Sequence, residues 1–243
     1  MKKKIALVTG ANKSIGFEVV RGLAQKGMTV YLGSRDAENG RKAADELKNE
    51  GDVRFIQLNL LDEKTMENAL KTIAQAHECL DVLVNNAGIA APESHGDPVF
   101  HGAVMDMDDI RSIFETNFFG TIRLTQMAIP LLCKSKAGRI VNVSSSAGSF
   151  AYMTDRENPY TKPFAYCTSK LALTGATVLF ADELKDDGIK VNAAHPGLVS
   201  SALSHYMGTR TGEDGARVII KLATLDENGP SGGYYDENGP VSW

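Results

Sequence analysis

Apolar residues along this chain fall into two alternating rhythms. Residues 4–9 (KIALVT) form a short apolar run closed by Gly10, after which Ile15, Val19, Val20 and Leu23 recur at helical spacing until Gly27 stops them. That pattern reads as strand, turn and helix. The same alternation predicts strands over 29–32, 53–58 and 80–84 and helices over 37–48 and 63–76. A loop rich in Gly, Pro and His follows over 90–105, then a long helix around 110–133 and a fifth strand over 139–143. The chain continues with a helix over 164–184, a strand over 189–193, a helix near 213–222 and a last short strand at 233–235.

Strands separated by helices need crossover connections, which are right-handed and pair the strands in parallel. The expectation is therefore an α/β chain: a single doubly wound (Rossmann) domain over 1–243, with a seven-stranded, mostly parallel sheet and helices on both faces. The pentapeptide DENGP occurs at 226–230 and again at 236–240. Each copy is a turn former, and two copies make no solenoid.

Composition narrows the function. With 43% hydrophobic residues, 243 positions can bury one sizeable core. Lys and Arg total 26 against 30 Asp and Glu, a net charge of -4, so there is no basic footprint for nucleic acid or anionic lipid. A small-molecule partner is expected. The opening MKKK is followed by too few apolar residues for a signal segment, and no apolar run reaches spanning length, which points to the cytoplasm. Cys79, Cys133 and Cys167 fit neither a disulfide framework nor a CxxC metal site and are read as reduced and structural.

Candidate chemistry begins where the first strand turns into the first helix. Thr9 to Gly16 reads TGANKSIG, and free N–H groups at such a turn, with the helix dipole behind them, can hold a pyrophosphate. Arg35, just after the second strand, is a cation where a carboxylate would instead hold a ribose diol, and Lys13 is a second cation on that side. Asn85-Asn86-Ala87-Gly88 follows the fourth strand, at the end of the sheet where such folds bind ligands. Tyr166 and Lys170 lie four apart on a helix and share a face. Lys170 is expected to lower the Tyr166 pKa from near 10 toward 7, a change of roughly 4 kcal/mol, with the helix N-terminus after Pro163 assisting. Ser145 ends the fifth strand, where a hydroxyl can bond a substrate carbonyl, with Ser144 and Ser146 as rivals. His195, His95 and His101 are read as non-catalytic; no HExxH and no nucleophile elbow is read, which leaves metal and hydrolase mechanisms unsupported.

Taken in order, these motifs resemble those of the short-chain dehydrogenase/reductases, and the stretches TGANKSIG, LDVLVNNAGIA, TNFFGT and GRIVNVSS are similar to its carbonyl reductase branch. The resemblance implies catalysis by Asn117, Ser145, Tyr166 and Lys170: proton donor Tyr166, carbonyl partner Ser145, Lys170 on the tyrosine and the nicotinamide ribose, and Asn117 holding a water against the lysine. It implies NADPH as cofactor, on Gly10, Asn12, Lys13, Ser14, Ile15, Gly16, Arg35, Asn59, Leu60, Asn86, Ala87, Gly88, Tyr166, Lys170, Pro196, Gly197 and Val199, and no metal. Two departures stand out. Ser14 replaces the middle glycine of TGxxxGxG, either to cap the helix or to donate to a phosphate, and Asn59 stands where the family has an adenine-binding aspartate, with Asp62 as rival.

The implied substrate is a ketone or aldehyde, reduced to an alcohol. The interval from Ser145 to Tyr166 is long for the family, so residues 149–165 are expected to be an insertion that walls an apolar or aromatic pocket with Phe150, Tyr152, Met153, Tyr160 and Phe164, faced by Leu203, Tyr206 and Met207; the alternative is that it packs against the body or a partner subunit. A homo-oligomer is compatible with the resemblance. The alternatives are a non-catalytic NAD(P) sensor, or an epimerase or dehydratase on the same nucleotide fold.

Overall fold

The computed structural model describes residues 3–92 and 101–243, so His95 and half of the Gly-, Pro- and His-rich loop lie outside the described residues. Among the described residues, eight strands form one sheet in the order β3-β2-β1-β4-β5-β6-β7-β8. The strands are β1 Ile5–Val8, β2 Thr29–Ser34, β3 Asp52–Gln57, β4 Val82–Asn85, β5 Arg139–Val143, β6 Lys190–Ala194, β7 Tyr234–Asp236 and β8 Gly239–Pro240. The first seven pair in parallel, as the crossovers require, and β8 returns antiparallel on β7. This eighth strand is the departure from the seven expected. It is a hairpin made by the second DENGP copy, where Asp236 Oδ1 accepts from the N–H groups of Asn238 and Gly239.

The helices are α1 Ser14–Gln25, α2 Ala37–Leu47, α3 Glu63–Ala76, α4 Met107–Phe114, α5 Gly120–Leu132, α6 Phe150–Thr154, α7 Phe164–Glu183 and α8 Gly212–Ala223. Strand side chains alternate between the two faces. Val8, Leu32, Val84 and Val141 join Val19, Leu23, Ile219 and Leu222 of α1 and α8 in one core, while Leu7, Tyr31, Leu83 and Ile140 join Leu70, Leu124 and Ala181 of α3, α5 and α7 in the other. Because both faces are covered, β1, β2, β4 and β5 are buried throughout, which is why they read as continuous apolar runs.

Two further sequence expectations change. The helix expected over 110–133 is interrupted: α4 passes into a π turn, Glu115–Phe119, before α5, and the N–H of Gly120 reaches back to the carbonyl of Glu115. The extra residue seats Asn117, fully buried, at the centre of the turn. Helix α7, at 20 residues with a mean hydropathy of 1.2, does reach the length and apolarity of a membrane span. Its buried residues include Ser169, Lys170, Thr174 and Thr177, which bond to partners within the fold, so this apolarity serves a core helix packed on β5 and β6.

Candidate active site

Strand order reverses at β1, which lies between β2 and β4, and such switch points open a crevice at the carboxyl ends of the strands. Four turns meet there: 9–16 after β1, 85–89 after β4, 144–149 after β5 and 195–199 after β6. Gly10 adopts φ +61°, and a Cβ on it would sit 2.8 Å from the Ala87 Cα, so only glycine allows the first two turns to touch. Asn86 stitches them together: its side-chain amide donates to the carbonyls of Thr9 and Gly10, while Thr9 Oγ1 accepts from the N–H groups of Asn86 and Ala87. The Asn86 side chain thus shapes the turn. Gly16 is buried in the first turn of α1 against the same amide.

The N-terminus of α1 differs from its neighbours. Helices α2, α3, α4 and α8 begin with Asp36, Asp62, Asp106 and Thr211 accepting backbone N–H bonds, followed by acidic residues in the first turn. On α1 the cap position falls to Lys13, with no side-chain cap bond and no acid in the first turn. Ser14 therefore does not cap this helix, which corrects one of its two expected roles. It is instead the first helical residue, at φ +50°. A side chain there costs on the order of 1 kcal/mol, and the same conformation accounts for glycine at the matching family position. Lys13 is exposed, Asn12 and Ile15 are half-buried, and the bond from the Ala11 N–H to the Gly33 carbonyl brings this turn beside exposed Arg35.

At the end of β3, Asn59 Oδ1 accepts from the N–H of Leu61, leaving a second lone pair on that oxygen, and Leu60 is buried. Asp62, its rival, is spent as the cap of α3.

The catalytic candidates converge from β5 and α7. Among the three serines only Ser145 has its side chain bonded to Tyr166. Ser144 is buried against Thr174 at 2.7 Å, while the backbone N–H of Ser146 donates to His195. Lys170 is buried and donates to the Val143 carbonyl at 2.8 Å, with its Nζ 5.9 Å from the centre of the Tyr166 ring. Burial pushes Lys170 down to about 8. Burial also pushes Tyr166 up to about 12, the Ser145 bond pulling only partly against it. The expected lowering of Tyr166 by Lys170 is thus not met in this structure: the ammonium is turned to Val143, and desolvation of the phenolate outweighs it.

Asn117 is held through its side-chain amide. Its Oδ1 accepts from the N–H of Ile89, and its Nδ2 donates to the Ile89 carbonyl and to Ser169 Oγ, so its amide locks the end of the β4 turn to α7. A Cβ on Gly88 would lie 3.2 Å from both Asn117 Oδ1 and Lys170 Nζ; glycine there lets the two heads approach one backbone segment.

On the β6 side, Gly197 takes φ +78°, and Val199 is buried and bridges to Arg210, which pairs bidentately with Glu237 of the β7–β8 hairpin. Residues 149–165 contain α6, capped by Ser149, and Lys162 Nζ closes the segment by donating to the carbonyls of Met153 and Asp155. Of the expected wall, Tyr152 and Met153 are half-buried and Tyr152 lies close enough to influence Tyr166, whereas Phe150, Tyr160, Tyr206 and Met207 are exposed. Tyr234 is not singled out by the sequence, and His195 is read there only as non-catalytic. Tyr234, on β7, donates its hydroxyl to the Ser145 carbonyl at 2.5 Å, and His195 Nδ1 accepts from backbone on two of the turns. Only the position of His195 next to Pro196-Gly197 hinted at this.

A family model described as short chain dehydrogenase matches residues 4–212. Salutaridine reductase of Papaver somniferum is 31% identical across 97% of this chain and 94% of its own length, and (+)-neomenthol dehydrogenase of Capsicum annuum is 29% identical across 96% and 95%. The solved salutaridine reductase superposes with a TM-score of 0.82 at 29% identity, covering 96% of this chain and 99% of its own. A short chain dehydrogenase of Escherichia coli CFT073 complexed with NADPH superposes at 0.83 with 28% identity over 97% of each chain. With the family match extending from β1 to the start of α8, this protein belongs to the short-chain dehydrogenase family of oxidoreductases.

Proposed function

We propose that residues 1–243 form one domain working as an NADPH-dependent carbonyl reductase, and that the hydroxyl pair of Tyr166 and Ser145, backed by buried Lys170, carries the chemistry. The cofactor cradle fits a dinucleotide. Gly10 holds the turn open, the α1 N-terminus offers N–H groups without a side-chain cap, and Lys13 and Arg35 supply the cations for a 2′-phosphate. Gly88, Pro196, Gly197 and Val199 lie on the turns, and Lys170 on α7, that would flank the nicotinamide half. NADPH, when bound, supplies the hydride.

The chain's own residues govern the proton. With its pKa near 12, Tyr166 holds its hydroxyl proton at neutral pH, the form that can be given to a carbonyl oxygen as it becomes an alkoxide. Ser145 Oγ is positioned beside that hydroxyl to bond the same oxygen, and Lys170 places a cation behind the pair. This is the protonation state that reduction requires, whereas the reverse reaction needs the phenolate. Turnover of a ketone panel with NADPH tests the reading; binding of cofactor without any turnover would favour the sensor alternative.

Arg35→Asp is expected to raise the NADPH KM about tenfold or more, because a charge-assisted contact contributes about 1.5–3 kcal/mol and a carboxylate would repel the phosphate. Equal use of NADH and NADPH by the unaltered protein would count against both cations. Half-buried Tyr152 and Met153 support a substrate with an aryl or bulky alkyl group. Tyr152→Ala and Met153→Ala are expected to reorder the relative rates of a ketone panel while leaving the NADPH KM within about twofold. Unchanged relative rates would show that α6 is structural only.

A further inference from the structure

His195 occupies a junction that the mechanism above does not use. Its Nδ1 lies 3.1 Å from the backbone N of Ser146 and 3.3 Å from that of Gly197, and both N–H groups point at it. One nitrogen lone pair thus joins the turn carrying Ser145 to the loop entering Pro196-Gly197. Its own backbone N–H is held by the Tyr235 carbonyl at 2.7 Å, which ties the residue to β7. The neighbouring β7 residue Tyr234 donates to the Ser145 carbonyl from the other side, its ring 6.4 Å from the imidazole and 5.9 Å from Trp243.

We propose that His195 is a positioning residue, and that its neutral imidazole, protonated on Nε2, sets the separation between the Ser145 turn and the Gly197 loop and hence between the carbonyl-binding hydroxyl and the nicotinamide face. The role rests on the carbonyl reductase reading of the site. It demands an acceptor at Nδ1, because an N–H there would confront two backbone N–H groups and push the turns apart.

The surroundings keep that acceptor. Burial holds His195 below the ordinary histidine range. Of the charged groups that act on it, Asp236 on β7 favours the imidazolium and Arg210, on the loop after β6, opposes it. Tyr234, the titratable group of β7 whose ring faces it, is pushed up by burial and stays neutral, while the turn after β5 presents backbone N–H and serine hydroxyls. Unfolded chains take up the proton near pH 6.5 and the folded chain only below that, so stability and the junction are both lost as pH falls through this window. Activity should therefore have an acid limb that belongs to His195.

Two substitutions separate the role from mere packing. Asparagine places an acceptor oxygen close to the position of Nδ1 but does not titrate, whereas leucine fills the space with no acceptor. His195→Asn is expected to keep kcat within about threefold at pH 8 and to lose the acid limb. His195→Leu is expected to lower kcat about tenfold or more with a smaller change in ketone KM. Without cofactor or substrate, the imidazole nitrogen NMR signals of the unaltered protein should report a proton on Nε2 and a midpoint below 6.5. Equal activity of the Asn and Leu variants, an acid limb that persists in His195→Asn, or a proton on Nδ1 would each overturn the proposal. If the unaltered protein reduces no ketone, the carbonyl reductase reading fails on that result, while the NMR titration still decides whether the junction exists.

Discussion

Ketone reduction is expected to fall at least about a hundredfold when Tyr166 is replaced by phenylalanine, the scale on which general acid catalysis operates. The substitution removes one hydroxyl and keeps the ring in its place between α7 and Ser145. A hydrogen bond contributes roughly 1 kcal/mol net, so stability should change by no more than about that amount, and NADPH binding should stay within about twofold. The proton is present to be lost: burial pushes Tyr166 up to about 12, and the group remains neutral across the working range. Rates with NADPH and an aryl ketone, together with cofactor affinity by fluorescence, check both halves. Near-normal reduction by Tyr166→Phe would end the proposed mechanism.

Lys170→Met should separate activity from stability. Lys170 is buried with its charge facing the Val143 carbonyl, and burial brings it from 10.5 to about 8. That fall corresponds to about 3 kcal/mol of penalty on the charged form, carried by the folded state at neutral pH. The unfolded chain keeps the proton up to about 10.5 and the folded chain only to about 8, so stability gained from shedding it rises between these values. Methionine removes the penalty and loses one buried bond of about 1–3 kcal/mol. Turnover is expected to drop about a hundredfold, while Tm at pH 7 should be no lower than that of the unaltered protein, and any advantage should shrink by pH 10.5. A variant that lost several degrees of Tm yet kept its turnover would reverse both assignments.

Much of the fold was legible because a doubly covered parallel sheet writes itself into the chain. Leu7 and Val8 must face opposite cores, so β1 is apolar at every position, and the helical recurrence of Val19, Val20 and Leu23 follows from the single stripe that α1 buries. The spacing of Tyr166 and Lys170 is a local property of one helix, and the glycine at position 10 is demanded by a local φ of +61°. These are decisions a short window of sequence can make.

What tertiary structure alone decided depends on partners far along the chain. The resemblance already pointed to Ser145, but its physical distinction from Ser144 and Ser146 comes from Tyr166, which bonds its side chain, and Tyr234, 89 residues beyond it, which bonds its carbonyl. The π turn at Asn117 exists because its amide closes on Ile89, and no helical period encodes a contact 28 residues distant. Ser14 has a left-handed backbone in place of a capping role, since the turn between β1 and α1 imposes its conformation. The states of Tyr166, Lys170 and His195 follow from burial, and burial is a property of the assembled molecule: residue order says which titratable groups are present, and the removal of water around them decides which protons they keep.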